Sequence, residues 1–188
     1  MQHPRLILAA FLLGLSFTAS ACRAELPPTL KMANQELQLN GQGVRQKYMF
    51  ELYEAGLYLA QPSQQAPAII AADQWSAIRI VITSKMVSQE KLVATLQEGF
   101  KSATGGKTRP IQPQIDQFRQ CFAETIKSGD TFDLVYAPGH GTVVLKNGKQ
   151  KGAIAGLPFK QALFGIWLGK RPADAGLKVA LLGATARR

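Results

Sequence analysis

Few of the 188 residues combine a reactive side chain with the spacing that chemistry needs. The two histidines are isolated: His3 lies near the start, and His140 sits in the turn Pro138-Gly139-His140-Gly141 with no partner at metal-ligand spacing. Asp130 and Asp133 fall near a strand start, and Asp130, after Ser128-Gly129, reads as turn chemistry. There is no Ser-His-Asp pattern, P-loop, dinucleotide fingerprint or Cys/His cluster. Hydrolase, kinase and metalloenzyme chemistries therefore lack carriers, no catalytic residue is assigned, and neither a metal nor a cofactor is expected. What remains is Arg45, at the mouth of the most apolar strand. A guanidinium there can fork a carboxylate through two parallel hydrogen bonds. The competing reading is a solvated surface arginine.

Arg45 belongs to residues 39–59, the stretch around which the chain is organised. Asn40-Gly41 is the pair that a tight hairpin turn favours, and Gly43 lets the backbone bend again before a long aromatic-rich strand. Along that strand Arg45, Lys47, Met49, Glu51, Tyr53, Ala55, Leu57 and Leu59 share one face; Val44, Tyr48, Phe50, Leu52 and Tyr58 share the other. Neither is a plain solvent face, which predicts a central strand covered on both sides. Arg45 and Tyr53 would then stand roughly 26 Å apart along the strand. A bulge or bend at Gly43, Glu51 or Gly56 is needed to bring them together.

The flanking elements follow from periodicity and turn chemistry. Residues 36–39 read as a short strand pairing across Asn40-Gly41, and residues 61–68, with two prolines, as a loop. Residues 75–84 alternate, with Ile78, Ile80 and Ile82 on one apolar face. Ser88 caps a helix that carries Glu90 in its first turn and Leu92, Val93, Leu96 and Phe100 as its buried stripe, and that stops at Thr104-Gly105-Gly106. A second helix is predicted over residues 113–127, with Ile115, Phe118, Phe122 and Ile126 inward and Cys121 beside them as a half-buried structural thiol. Short strands at 131–136, 142–145 and 152–154 form a meander, with Asn147-Gly148 as a hairpin turn, and helices at 158–168 and 172–182 close the chain. Blocks of strands and helices joined by hairpins predict an α+β fold, an antiparallel sheet with helices layered on one face.

At 46% hydrophobic and 18% charged residues, the chain is long enough for one domain with a substantial core. Residues 1–24 have the layout of a signal peptide: Arg5, then an apolar run from Leu6 to Phe17 too short to span a bilayer, then small residues. Cleavage after Ala24 leaves residues 25–188 as a single periplasmic or secreted domain with Cys121 as its one cysteine, hence without an intramolecular disulfide. The rival reading takes Ala19-Ser20-Ala21-Cys22 as a lipoprotein site, although the usual Leu three residues before the Cys is absent. Loss of Arg5 and Arg23 leaves 20 of the 22 basic residues against 12 acidic ones, a net charge of about +8 that suits an anionic partner. The basic residues are scattered, Lys146, Lys149, Lys151 and Lys170-Arg171 read as solvated turns, and export argues against nucleic acid.

Asn40-Gly41-Gln42-Gly43-Val44-Arg45, followed by Leu52-Tyr53-Glu54-Ala55-Gly56-Leu57-Tyr58-Leu59, resembles the start of the chalcone isomerase-like domain in its bacterial exported branch. Ser128-Gly129-Asp130, Tyr136-Ala137-Pro138-Gly139, Lys146-Asn147-Gly148 and the run from Phe159 to Gly169 agree in order and spacing, so the resemblance covers residues 28–183. It implies an open-faced β-sandwich. In catalytic members an Arg, a Thr, a Tyr, an Asn and a late Ser or Thr position a polyphenol for ring closure. Arg45 matches the first of these; the others fall on Tyr53, near Ser84, near Lys91, and on Gly165 or Ile166, all changed. A Tyr at the Thr position beside the retained Arg is similar to the fatty-acid-binding branch, where these two side chains hold the carboxylate. The resemblance thus implies a non-catalytic binder of a small apolar anion such as a fatty acid, with Arg45, Tyr53 and Ser84 at the ligand. The alternatives are an intramolecular lyase of chalcone isomerase type using Arg45, and a cell-envelope interaction protein without a ligand. The sequence names no protein partner.

Overall fold

Among the described residues, seven strands form one antiparallel sheet: β1 (Thr29–Met32), β2 (Gln35–Lys47), β3 (Phe50–Leu59), β4 (Ser76–Ile82), β5 (Thr131–Ala137), β6 (Gly141–Lys146) and β7 (Lys149–Ile154). Each strand pairs with its neighbours in sequence, so the sheet is a simple meander. Helix α1 (Ala66–Ala71) joins β3 to β4; α2 (Gln89–Ala103) and α3 (Gln112–Gln120) lie between β4 and β5; α4 (Leu157–Leu168) and α5 (Ala175–Leu181) follow β7. The computed structural model describes residues 26–183, and the expected leader, with both readings of its processing, lies outside them. No helix among the described residues is long and apolar enough to cross a membrane.

The layering follows from which residues share a core. Tyr53, Ala55, Leu57 and Leu59 of β3 and Ile78, Ile80 and Ile82 of β4 bury one face of the sheet against residues from all five helices. The other face carries a smaller cluster of strand residues, with Leu30, Leu37, Tyr58, Ala77 and Val135 at its centre. The expected α+β architecture, an open-faced sandwich with helices on one face, is what forms. Its helix-side core is tied by a chain of phenylalanines: Phe100, Phe118, Phe122, Phe132 and Phe159 meet at ring-centroid distances from 5.0 to 5.8 Å. Such pairs add about 0.5–1.5 kcal/mol each beyond the area they bury.

The hairpin turn expected at Asn40-Gly41 is instead the middle of β2. Leu39 pairs with Tyr58 and Gly41 with Leu57, leaving Asn40 as the additional residue of a bulge. Because side chains alternate with period two, that one residue moves Gly41, Gly43 and Arg45 to the helix face while Leu37 and Leu39 stay on the other. Asn40 is tied on both sides, Nδ2 donating to Leu181 O at 2.9 Å and Oδ1 accepting from Ser63 N at 2.7 Å. Gly41 is small because α5 lies on it: a Cβ there would fall 2.7 Å from Leu181 O and Gly183 N, and closer still to Ala180 O. The turn itself is Tyr48-Met49, with φ of 49° and 69°, a left-handed pair that glycine and asparagine usually supply. One long strand thereby becomes the β2–β3 hairpin.

Two other expectations shift. Part of the loop read at residues 61–68 is the start of α1, with a proline in its first turn, where the missing N–H costs nothing. Its C-terminal carbonyls are taken by Lys160 of α4, which is fully buried and donates to Ile69 O, Ile70 O and Ala72 O at 2.7, 3.0 and 2.8 Å. Helix α3 stops at Gln120 instead of running to residue 127, yet Ile115, Phe118, Phe122 and Ile126 are all buried. The helical period predicts their burial, but the final apolar residues reach the core from irregular chain. Cys121 is buried beside them, and burial pushes its thiol pKa up, in keeping with a structural role. Ser88 Oγ accepts from Lys91 N at 3.4 Å as the cap of α2, and Asn147-Gly148 makes the expected turn with φ of 50° and 75°.

Candidate functional site

Hairpin geometry decides where the predicted site residues fall. Arg45 stands directly opposite Tyr53 across the β2–β3 ladder, the partner position rather than a point far along the same strand. The next pair is Gln46 with Glu51, so Leu52 is an additional residue in β3. That second bulge lets Leu52 and Tyr53, consecutive in sequence, both line one cavity, which strict alternation forbids. Leu52 O also accepts from Thr83 N and Ser84 N at 3.2 and 3.3 Å, fixing the chain that leads from β4 to α2.

The cavity measures about 490 Å³, within the usual range for small-molecule sites. Arg45, Leu52 and Tyr53 line it from the hairpin, and Val87 and Leu92 line it from the approach to α2 and its first turn. Tyr48, Phe50 and Met86 line it and are also exposed, so they mark its mouth, with Lys47 and Lys91 as neighbouring cations. Among the described residues, no group of His, Cys, Asp and Glu could hold a metal ion.

Arg45 is not the unpaired cation that its place beside an apolar strand suggests. Its Nη1 donates to Asp174 Oδ2 and to Gln46 O, both at 3.0 Å, and its side chain is 15% exposed. Asp174 is the N-cap of α5, its Oδ1 accepting from Leu177 N at 3.0 Å. Burial pushes the Asp174 carboxyl up, but the Leu177 N–H, the Arg45 guanidinium and the Gln46 N–H outweigh that and hold it below its ordinary pKa. Both Arg45 bonds leave from Nη1, so neither engages the edge of the fork formed by Nε and Nη2.

Tyr53 is buried, and its phenol oxygen accepts from Trp167 Nε1 at 3.0 Å. Burial raises its pKa, against smaller lowering effects of the Trp167 hydrogen bond and the Arg45 charge, so it stays a phenol at neutral pH. The Trp167 bond occupies one lone pair and leaves the hydroxyl hydrogen to donate. A paired cation and a neutral donor thus stand side by side on an apolar wall, an arrangement suited to an anionic oxygen pair.

Ser84 is placed differently. Its Oγ accepts from Met86 N at 3.1 Å within the β4–α2 turn, and it does not line the cavity. Lys91 does line it, with Nζ donating to Met86 O at 3.2 Å. Gly165 and Ile166 pack against Ala103 and Gly99 of α2. Sequence reasoning missed Trp167 and Asp174 as supports of Tyr53 and Arg45. Asp174 carried a readable signal, an Asp at the start of a helix pattern; the Trp167 contact, 114 residues from Tyr53, carried none.

A family model described as chalcone isomerase-like matches residues 20–183. A search of curated proteins finds no match. Among solved structures, the crystal structure of the fatty-acid binding protein AtFAP1 of Arabidopsis thaliana is similar, with a TM-score of 0.65 and 17% sequence identity over 84% of this chain and 90% of that one. At that identity the likeness is one of fold.

Proposed function

The chain belongs to the chalcone isomerase-like family, and on that footing we propose that it is a non-catalytic binder of an apolar carboxylate of the fatty-acid class. The observation that carries this reading is Arg45 opposite Tyr53 on the wall of the apolar cavity. A carboxylate accepts from the Nε–Nη2 edge of Arg45 and from the Tyr53 hydroxyl, while the chain lies against Leu52, Val87 and Leu92. Asp174 remains on the far side of the guanidinium, where the Leu177 N–H stabilises its charge, so Arg45 can serve both carboxylates. The fatty-acid binding named for the structural neighbour supports the same reading.

Ring-closing catalysis needs a polarised ketone and a held phenolate. Here the Ser84 hydroxyl and the Lys91 ammonium are already engaged with Met86 backbone, which favours binding over catalysis. The test is native mass spectrometry of purified protein, solvent extraction, then titration with a long-chain fatty acid and its methyl ester. A co-purifying acid and a strong preference for acid over ester support the proposal; equal affinity for both overturns it. Stereoselective conversion of a chalcone to a flavanone above the spontaneous rate would overturn the non-catalytic part. Export to the periplasm or medium belongs to the proposal on the strength of residues 1–24. A mature mass beginning at Glu25 supports it, and a diacylated Cys22 replaces it with lipid anchoring.

A further inference from the structure

Tyr48, Met49, Phe50 and Met86 are 84%, 97%, 54% and 48% exposed, and together they make one apolar rim around the cavity mouth and hairpin tip. The only other large hydrophobic residue exposed to a comparable degree among the described residues is Val179, at 36%. The sheet makes the same two-residue turn elsewhere with Asn147-Gly148, the residues that suit left-handed backbone. Tyr48 and Met49 adopt that backbone without such chemistry, so the tip keeps two apolar side chains in water at a conformational cost that Asn-Gly would relieve.

The charges around this rim select among partners. Lys47, Lys85 and Lys91 are exposed beside it, with Lys47 Nζ 5.6 Å from the centre of the Tyr48 ring. Glu51 and Glu90 are the exposed acidic residues nearby in sequence, Glu54 being buried, so the exposed charges of the rim are cationic on balance, in a chain of formal charge +10. An apolar tip with aromatic and methionine side chains and lysines set behind it has the amphiphilic order of an interfacial anchor: apolar groups reach the acyl boundary while ammonium groups stay at the headgroups.

We propose that the tip of the β2–β3 hairpin is a membrane-contacting element that seats the cavity mouth on an anionic phospholipid surface. The cavity opens between these same side chains, so a ligand passing between bilayer and protein would not cross water. The proposal does not require the ligand to be a fatty acid, because surface binding is read without any ligand.

The test is co-flotation with vesicles of phosphatidylcholine and with vesicles of phosphatidylglycerol and phosphatidylcholine in equal parts. All described elements lie within residues 26–183, so protein beginning at residue 25 serves, free of the apolar leader. It should float with the anionic vesicles and much less with the neutral ones. The double variant Tyr48→Asn with Met49→Gly should keep or raise the melting temperature and lose roughly tenfold or more of its vesicle partitioning. Lys47→Gln should weaken binding to anionic vesicles only. Absence of vesicle binding by the wild type, or unchanged partitioning of the double variant, overturns the proposal. So does concentration-dependent dimerisation of the wild type that the double variant abolishes, since the rim would then be a contact between copies.

Discussion

Arg45 Nη1 stands 3.0 Å from Asp174 Oδ2, and Asp174 is the residue that caps α5. The contact joins positions 129 residues apart. One guanidinium therefore pins helix α5 to the hairpin and lines the apolar cavity. Its structural contact and its proposed part in binding can be separated because only Nη1 serves the first.

Arg45→Met should leave Asp174 without its counter-charge and cost about 1–2 kcal/mol of stability, in the range for losing a partly exposed charged hydrogen bond. Paired with Asp174→Asn in a double-mutant cycle, the coupling should be about 0.5–1.5 kcal/mol. Titrated against folded variant, a fatty acid should bind about 2–5 kcal/mol more weakly than to the wild type. Its methyl ester should bind wild type and Arg45→Met equally. A variant that still folds and still prefers acid over ester makes Arg45 purely a strut of α5.

Acid should loosen the same contact. The folded-state pKa of Asp174 lies below its unfolded value of about 3.9, so the native state binds fewer protons there. Its contribution is complete above pH 4 and is lost as the pH falls through the lower folded pKa. Asp174→Asn keeps a good N-cap but has no proton to take up. Urea midpoints measured from pH 6 down to pH 2 should therefore fall less steeply in Asp174→Asn than in wild type; parallel curves would show that the ion pair contributes nothing.

Lys160 is a different kind of buried cation. Burial pushes its pKa down to about 8, with the Asp73 charge opposing, so at pH 7 it remains an ammonium. Its three bonds satisfy carbonyls at the end of α1, and its Nζ lies 4.9 Å from the centre of the Phe164 ring. Lys160→Met keeps the length but orphans those carbonyls, at an expected cost of about 2–4 kcal/mol. Amide hydrogen exchange should localise the loss to α1. A stability change below about 1 kcal/mol would mean that water replaces the ammonium.

The fold class was legible because the alternation in β4, the Asn147-Gly148 turn and the Ser88 cap are local signals. The pairing of Arg45 with Tyr53 was not, because it depends on where the chain turns. Asn40-Gly41 carried the same turn signature as Asn147-Gly148 and sits inside a strand; Tyr48-Met49 carried none and makes the turn. Glycine is ambiguous in sequence, since it answers both to a left-handed backbone and to a neighbour that comes too close. Only the position of α5 shows which demand applies at residue 41. Ser84 shows the converse: a residue matched by family position whose hydroxyl is used by its own turn.

Those two demands predict opposite responses to mutation. If Gly41 served a turn, a side chain there would strain only the local backbone. In β2 its backbone is not left-handed, and what a methyl group meets is the peptide chain of α5 at Ala180, Leu181 and Gly183. Backbone cannot rotate aside as a side chain can, so Gly41→Ala should displace α5 and cost about 1–3 kcal/mol, on the scale of overpacking. Asn40 Nδ2 would lose Leu181 O, and the Asp174 end of the helix would pull on Arg45, so fatty-acid affinity should fall as well. At the true turn, Tyr48→Asn with Met49→Gly should raise the melting temperature by relieving two left-handed non-glycine residues. Thermal melts of both variants decide the matter. Unchanged stability of Gly41→Ala, or a large loss in the Tyr48/Met49 double variant, would contradict the placement of the bulge and the turn.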